Sequence, residues 1–240
     1  MKLVCVNGSP HGAAGGTGRI AAWLMDACHT QGVEIETFHL RDLDIRRCLG
    51  CGRCMNAGTC AIADDVPRIH AAWAMADLIV FCSPTHVFHV TDWMKSFIDR
   101  TAGHFHRPPL AGKYAAVVTS SAGMGESAVV RYLANCLEVL GAAYVGAVWG
   151  TYRPPTRLWD PARIEARARR LGAELVACAR ERRDFPLSDE VIAQHRFLAE
   201  LIWRNRKIFK ADFAFWQERG WFEDPPGTRP TDATPRASGG

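Results

Sequence analysis

Apolar residues follow two periods along this chain. Leu3-Val4-Cys5-Val6 forms a short β-rich run that stops at Gly8-Ser9-Pro10. From Thr17 to Thr30, Ile20, Trp23, Leu24 and Ala27 recur at helical spacing, and Gly32 ends the element. Val33 to Leu40 alternates as a strand. A cysteine-bearing loop occupies about 46–63, and Asp64-Asp65 then cap a helix that tolerates Pro67 in its first turn and runs to Ala76. Asp77 to Cys82 is continuously apolar after its first residue, as in a strand buried on both faces. A helix near 90–101, a strand at 114–119, a helix at 126–140, a strand at 143–148 and a helix at 161–182 follow. Five alternations of strand and helix predict right-handed βαβ crossovers and a parallel sheet covered on both sides.

After Arg183 the pattern changes. A helix is expected over 188–210, leading into an aromatic-rich stretch with Phe213, Phe215, Trp216, Trp221 and Phe222. That stretch is too apolar for water and predicts packing on the main domain or on a second subunit, hence a homodimer or homotetramer. From Pro225 onward Pro, Gly, Thr and Ser dominate, which predicts a disordered tail. The expected division is therefore 1–183, 184–224 and 225–240.

Composition narrows the function classes. Of 240 residues, 48% are apolar and 22% charged, and the net charge is +4, so nucleic acid and anionic membranes have no electrostatic claim. No apolar run approaches the roughly 18 residues of a membrane helix, and the first strand is too short for a signal peptide. The expectation is a cytoplasmic protein. Nine cysteines are unusual in such a chain. Five of them (Cys5, Cys28, Cys82, Cys136 and Cys178) lie in apolar stretches and read as core residues.

Ligands of an open parallel sheet bind beyond the carboxyl ends of its strands. Three loops leave such ends. In the first, Ser9, Pro10, His11, Gly16, Thr17 and Gly18 belong to a glycine-rich turn that opens a helix. Its backbone N–H groups and helix N-terminus suit a phosphate, although the loop is neither a Walker A sequence nor GxGxxG. The second, Pro84-Thr85-His86-Val87-Phe88, presents His86 at its tip as a flat, partly polar group for an aromatic ligand; His89 reads as a solvated loop residue. In the third, Ser120, Ser121, Gly123 and Gly125 are small enough for close backbone approach.

Cys48, Cys51, Cys54 and Cys60 spell C-x2-C-x2-C-x5-C. Gly50, Gly52 and Gly58 supply the backbone freedom to wrap such a loop around one centre. Four thiolates suit a [4Fe–4S] cluster or a tetrahedral zinc, and the alternative is free or disulfide-paired thiols. The compact run favours iron–sulfur, since structural zinc more often pairs two C-x-x-C knuckles across a longer gap. Arg46, Arg47 and Arg53 flank the thiols; they either lower thiol pKa and attract an acidic partner or form a solvated basic loop.

Gly8-Ser9-Pro10 with Gly15-Gly16-Thr17, and the segment from Ser83-Pro84 to Ile98-Asp99-Arg100, resemble the NAD(P)H-dependent FMN reductases of flavodoxin-like fold. The cysteine run is similar to that of their iron–sulfur flavoprotein branch. The family usually carries Arg, Asn and Tyr where His11, Gly16 and His86 stand. The resemblance implies a three-layer α/β sandwich with five parallel strands in the order 2-1-3-4-5 and FMN at the sheet edge. It also implies electron transfer from NAD(P)H to a quinone, flavin or other small-molecule acceptor, with no protein acid or base required. The alternative is a non-enzymatic carrier exchanging electrons with ferredoxin-like partners. Arg153 to Arg183 is rich in arginine and reads as the wet face of an amphipathic helix or a site for the 2′-phosphate of NADPH. Trp149-Gly150-Thr151-Tyr152 ends the fifth strand, with a flavin-side role or a core or interface role open.

Overall fold

The computed structural model describes residues 1–153 and 157–222. In chain order the elements are β1 (Lys2–Asn7), α1 (Gly16–His29), β2 (Glu34–His39), α2 (Arg53–Ala57), α3 (Val66–Met75), β3 (Leu78–Pro84), α4 (Asp92–Asp99), α5 (Ala102–His106), β4 (Tyr114–Ser121), α6 (Glu126–Val139), β5 (Ala143–Arg153), β6 (Arg157–Leu158), α7 (Pro161–Glu181), α8 (Asp189–Arg204) and α9 (Lys210–Arg219). The sheet order is β2-β1-β3-β4-β5-β6. The first five strands are parallel in the expected order, and β6 adds a short antiparallel edge against Tyr152 and Arg153.

The period of two in the strands divides the core. Val4, Val6, Ile79, Phe81, Ala115 and Val117 face the layer of α3, α4 and α6, where Ile69, Trp73, Phe97 and Leu133 fill the space. Leu3, Cys5, Val80, Cys82, Ala116 and Val118 face α1 and α7, with Ile20, Leu24, Ile164 and Leu175. Each fully buried large side chain is worth about 1.5–3 kcal/mol, so the two faces hold the central strands in register. All five scattered cysteines are buried, as expected.

Three elements differ from the expectation. Strand β5 runs on to Arg153 instead of stopping near 148, after a bulge opposite Ala115 and Ala116 that reaches Gly146 (φ 159°). The helix expected near 90–101 stops at Asp99; Thr101 Oγ1 donates to the Ile98 carbonyl at 2.7 Å and a separate α5 begins at Ala102. The helix expected over 188–210 ends at Arg204, where Asn205 Nδ2 donates to the Leu201 carbonyl at 2.8 Å, and a separate α9 follows. In that C-terminal segment Leu198, Ile202 and Trp216 form a small core of their own with Phe209, Phe213 and Phe222. The tail expected over 225–240 lies outside the described residues. No helix among the described residues is long and apolar enough to cross a membrane.

Candidate functional site

The glycine-rich loop folds back on itself. Asn7 Oδ1 accepts from Ser9 N at 2.9 Å, Asn7 Nδ2 donates to Gly12 O at 3.2 Å, and Gly12 N donates to Ser9 O at 3.0 Å. Ser9 and Thr17 are buried, whereas His11 is exposed. Gly15 is the N-cap of α1 and no side chain caps the helix. Its first N–H groups, which have no intrahelical acceptor, therefore face the loop with the positive end of a 14-residue helix behind them.

Glycine is needed at two of these positions. A Cβ at Gly18 would run into the Gly12 carbonyl oxygen, so Gly18 packs helix against loop. One at Gly16 would overlap the Tyr152 hydroxyl, so this tyrosine covers the helix start. Burial raises its pKa, with Arg19 opposing. Tyr152, on β5, thus packs against the start of α1, a placement the sequence left open. Asn7 was missed, because a polar residue closing a strand gives no pattern of its own.

The other two loops meet the first. Thr17 and Ser120 hydroxyls are 2.6 Å apart. Thr85 N donates to Ser120 O at 2.7 Å, and a Cβ at Gly125 (φ 92°) would come within 2.8 Å of Thr85 Cγ2 and 3.1 Å of Phe88 Cα. Ser121 Oγ donates to the carboxylate of Glu126 and accepts from Gly123 N at 3.0 Å. Beyond Pro84 the chain makes a tight turn: His86 N donates to His89 O at 2.8 Å and His89 N to His86 O at 3.0 Å. Val87 (φ 47°) and Phe88 (φ 64°) sit at its tip in left-handed backbone, a region costly for a β-branched residue and typical of ligand clamps. Both side chains are exposed, as is His86, while the His89 ring packs 4.5 Å from that of Tyr132. Tertiary structure thus brings all three predicted loops together at one end of the sheet.

The cysteine loop is less closed. Cys48, Cys51 and Cys60 are exposed, Cys54 is half-buried, and none is in a disulfide. Among the described residues no three His, Cys, Asp or Glu side chains gather as a metal site. Gly50, Gly52 and Gly58 all have positive φ, and Gly50 N donates to Cys48 Sγ at 3.4 Å.

The loop arginines take the solvated arrangement that the sequence allows, and two further cations interact with the thiols. Arg46 pairs with Asp44, and Arg53 and Arg47 are exposed. Arg100 and Arg107 instead reach in from the ends of α4 and α5. Arg100 forms a fully buried pair with Asp64 and donates to Arg46 O at 2.9 Å. Burial opposes its charge, but Asp64 and then Cys60 beside it raise its pKa. Burial also works to raise the Asp64 pKa, and Arg100 with the N–H groups of Arg46 and Val66 outweighs it, leaving the pKa low. Arg107 Nη2 donates to Cys54 O at 2.8 Å and Gly58 O at 3.0 Å. Burial, then Cys60, pushes the Cys54 thiol up, with Arg107 pulling the other way.

Arg107 is itself held from α9. Its Nε donates to Gly103 O at 3.3 Å and lies 3.0 Å from Oδ1 of Asp212, a carboxylate with no exposure. His106 Nδ1 is 2.7 Å from Asp212 Oδ2. Trp216 Nε1 donates to His106 O. Neither Arg107 nor Asp212 was identifiable from sequence; an acid among aromatics in a late helix was the sole hint.

The sequence profile of NADPH-dependent FMN reductases matches residues 1–152. The chain belongs to this family. It is an oxidoreductase by that membership. It is 31% identical over 222 residues to an iron-sulfur flavoprotein of Archaeoglobus fulgidus, covering 92% of this chain and all of that protein. An FMN-dependent NADH-azoreductase of Bacillus anthracis, solved in complex with FMN, superposes with TM-score 0.56 at 15% identity, over 75% of this chain and all of that one. An archaeal flavodoxin gives TM-score 0.50 at 15% identity over 75% of this chain and 99% of that one. The chain thus has a flavodoxin-like fold.

Proposed function

We propose that this reductase binds FMN where the three loops meet and passes electrons from NAD(P)H to a quinone, flavin or other small-molecule acceptor. The observation that carries this reading is the uncapped N-terminus of α1, enclosed by loops from β3 and β4. Backbone N–H groups of Gly16, Thr17 and Gly18, with the hydroxyls of Ser9, Thr17 and Ser120, hold the phosphate; Pro10 and His11 border it, and the Tyr152 hydroxyl closes it. Pro84, Thr85, His86, Val87 and Phe88 flank one side of the ring, and Ser121, Gly123 and Gly125 the other. Bound FMN supplies the redox chemistry; the protein positions it and shapes its access. Anaerobic NADPH or NADH added to FMN-loaded protein should bleach the flavin absorbance, and an unchanged spectrum with both overturns the donor reading.

The four-thiol loop fits a [4Fe–4S] cluster in donor chemistry. Cys48, Cys51, Cys54 and Cys60 are not in disulfides, and three glycine pivots lie among them. Arg100 and Arg107, each paired with a carboxylate, stand beside Cys60 and Cys54. The relative's name supports the same reading. Anaerobically purified protein should contain about four iron atoms per chain, lost on Cys51→Ala; iron-free protein overturns it.

A second reading is an electron carrier. Exposure of Cys48, Cys51 and Cys60 beside Arg46, Arg47 and Arg53 favours an acidic, ferredoxin-like partner. Reduction by a ferredoxin without any reaction with NAD(P)H would establish it. Exposed Phe197, Trp203 and Ile208 suit a second copy, so a homodimer or homotetramer is the proposed assembly, testable by light scattering. The free thiols fit the reducing cytoplasm.

A further inference from the structure

We infer that Arg107 and Asp212 are positioning residues whose opposite charges set the reduction potential at the four-thiol loop, with α9 supplying the negative member; the inference rests on the iron–sulfur reading above. The loop is not uniform. Cys48, Cys51 and Cys60 are exposed, whereas Cys54 packs against α5. A Cβ placed on Gly103 would lie 3.0 Å from Cys54 Cβ, 3.4 Å from Cys54 Sγ and 3.0 Å from Arg107 Nη2. Sulfur and guanidinium therefore flank one point of the α5 backbone, less than twice 3.4 Å apart. A Cβ on Gly58 would come 3.0 Å from Arg107 Nη1 and 3.5 Å from Ala211 Cβ, so Arg107 and α9 together back the segment from Cys54 to Gly58.

Arg107 holds this segment with one edge and meets Asp212 with the other. Its Nη2 takes the Cys54 and Gly58 carbonyls. Its Nε donates to Gly103 O, and Asp212 Oδ1, 3.0 Å from that nitrogen, accepts no hydrogen bond among the described residues. What Asp212 brings to Arg107 is thus its charge. That carboxylate has no exposure, and its other oxygen is held at 2.7 Å by His106 Nδ1. A buried pair of this kind is screened little by salt.

Reduction at the four thiolates would add negative charge, which a nearby cation favours and a nearby anion opposes. Arg107 therefore raises the potential, and Asp212 holds that rise down. Because α9 lies outside residues 1–152, the segment beyond the reductase profile takes part in the redox site.

Redox titration of anaerobically purified protein, followed by electron paramagnetic resonance, tests the assignment. Arg107→Gln should disfavour reduction by at least about tenfold, about 59 mV for one electron. Asp212→Asn, which keeps an acceptor for His106, should favour it by about threefold or more. In Arg107→Gln/Asp212→Asn the two shifts should largely cancel. Arg107→Lys keeps the charge and one donor group, so the potential should hold while iron release to a ferrous chelator accelerates. FMN content should stay unchanged in every variant, which reports that the fold is intact. A loosened loop alone would move both single variants the same way. Shifts of one sign, shifts that add in the double variant, unmoved potentials, or a single variant that binds no iron overturn the assignment. Iron-free wild-type protein removes the iron–sulfur reading and this assignment with it; iron-bearing protein with unmoved potentials removes this assignment alone.

Discussion

Asp212→Ala removes a carboxylate with no exposure to water and leaves Arg107, whose side chain is 13% exposed, without its counter-ion. At 3.0 Å and an effective dielectric of about 20, the attraction between them is roughly 5 kcal/mol. Desolvation opposes it by several kcal/mol per ion, so the intact pair contributes little net. Removing one partner is different, because the survivor stays desolvated and loses the attraction; the cost is about 3–5 kcal/mol. That is a large part of the roughly 5–15 kcal/mol that holds a domain together. The freed guanidinium can recover hydration by turning outward, which releases the Cys54 and Gly58 carbonyls it now binds. Urea unfolding followed by tryptophan fluorescence should show a loss of about 3 kcal/mol, either overall or as an early transition of α9. Alkylation of Cys54 under native conditions should accelerate at least about tenfold, the sign of a loop opened by more than about 1.4 kcal/mol. Arg107→Met with Asp212→Leu should recover most of the stability but not the protection of Cys54. A loss under about 1 kcal/mol in Asp212→Ala, or strict additivity of the two sites, would refute the reasoning.

Three further outcomes follow from the same geometry. Gly16→Ala should lower both the urea midpoint and FMN affinity, the latter measured by flavin fluorescence, since its Cβ would overlap the Tyr152 hydroxyl; Tyr152→Ala in the same chain should restore the urea midpoint, and no restoration places the clash elsewhere. Thr17→Val removes the hydroxyl that meets Ser120 at 2.6 Å and should reduce FMN affinity by about 1–2 kcal/mol; unchanged affinity would take Thr17 out of the phosphate site. Acid should destabilise the fold well before its carboxylates titrate. Burial, then His104, lowers the His70 pKa to about 3; burial, then Arg107, lowers His104 to about 4; burial lowers His195 to about 4. The unfolded chain takes up these protons near pH 6.5 and the folded chain does not until about pH 4. Stability therefore falls as pH drops through that window, by up to about 1.4 kcal/mol per group per unit, and equal urea midpoints at about pH 7 and pH 5 would contradict it.

Sequence alone determined the local layers of this protein. Alternating apolar residues assigned each strand side chain to one face, because strand geometry has a period of two and each face must be covered. Glycines marked the loop before α1, and the spacing of Cys48, Cys51, Cys54 and Cys60 marked a four-thiol loop, since both depend on neighbours in the chain. Tertiary structure decided what those loops face. Tyr152 over Gly16, Ser120 against Thr17, and Arg100, Arg107 and Asp212 behind Cys54 and Cys60 join residues far apart in sequence. Such meetings are fixed by sheet register and helix packing rather than by any local period. A lone Arg or Asp looks the same in sequence whether it faces water or holds a buried loop, and only the packed fold tells the two apart.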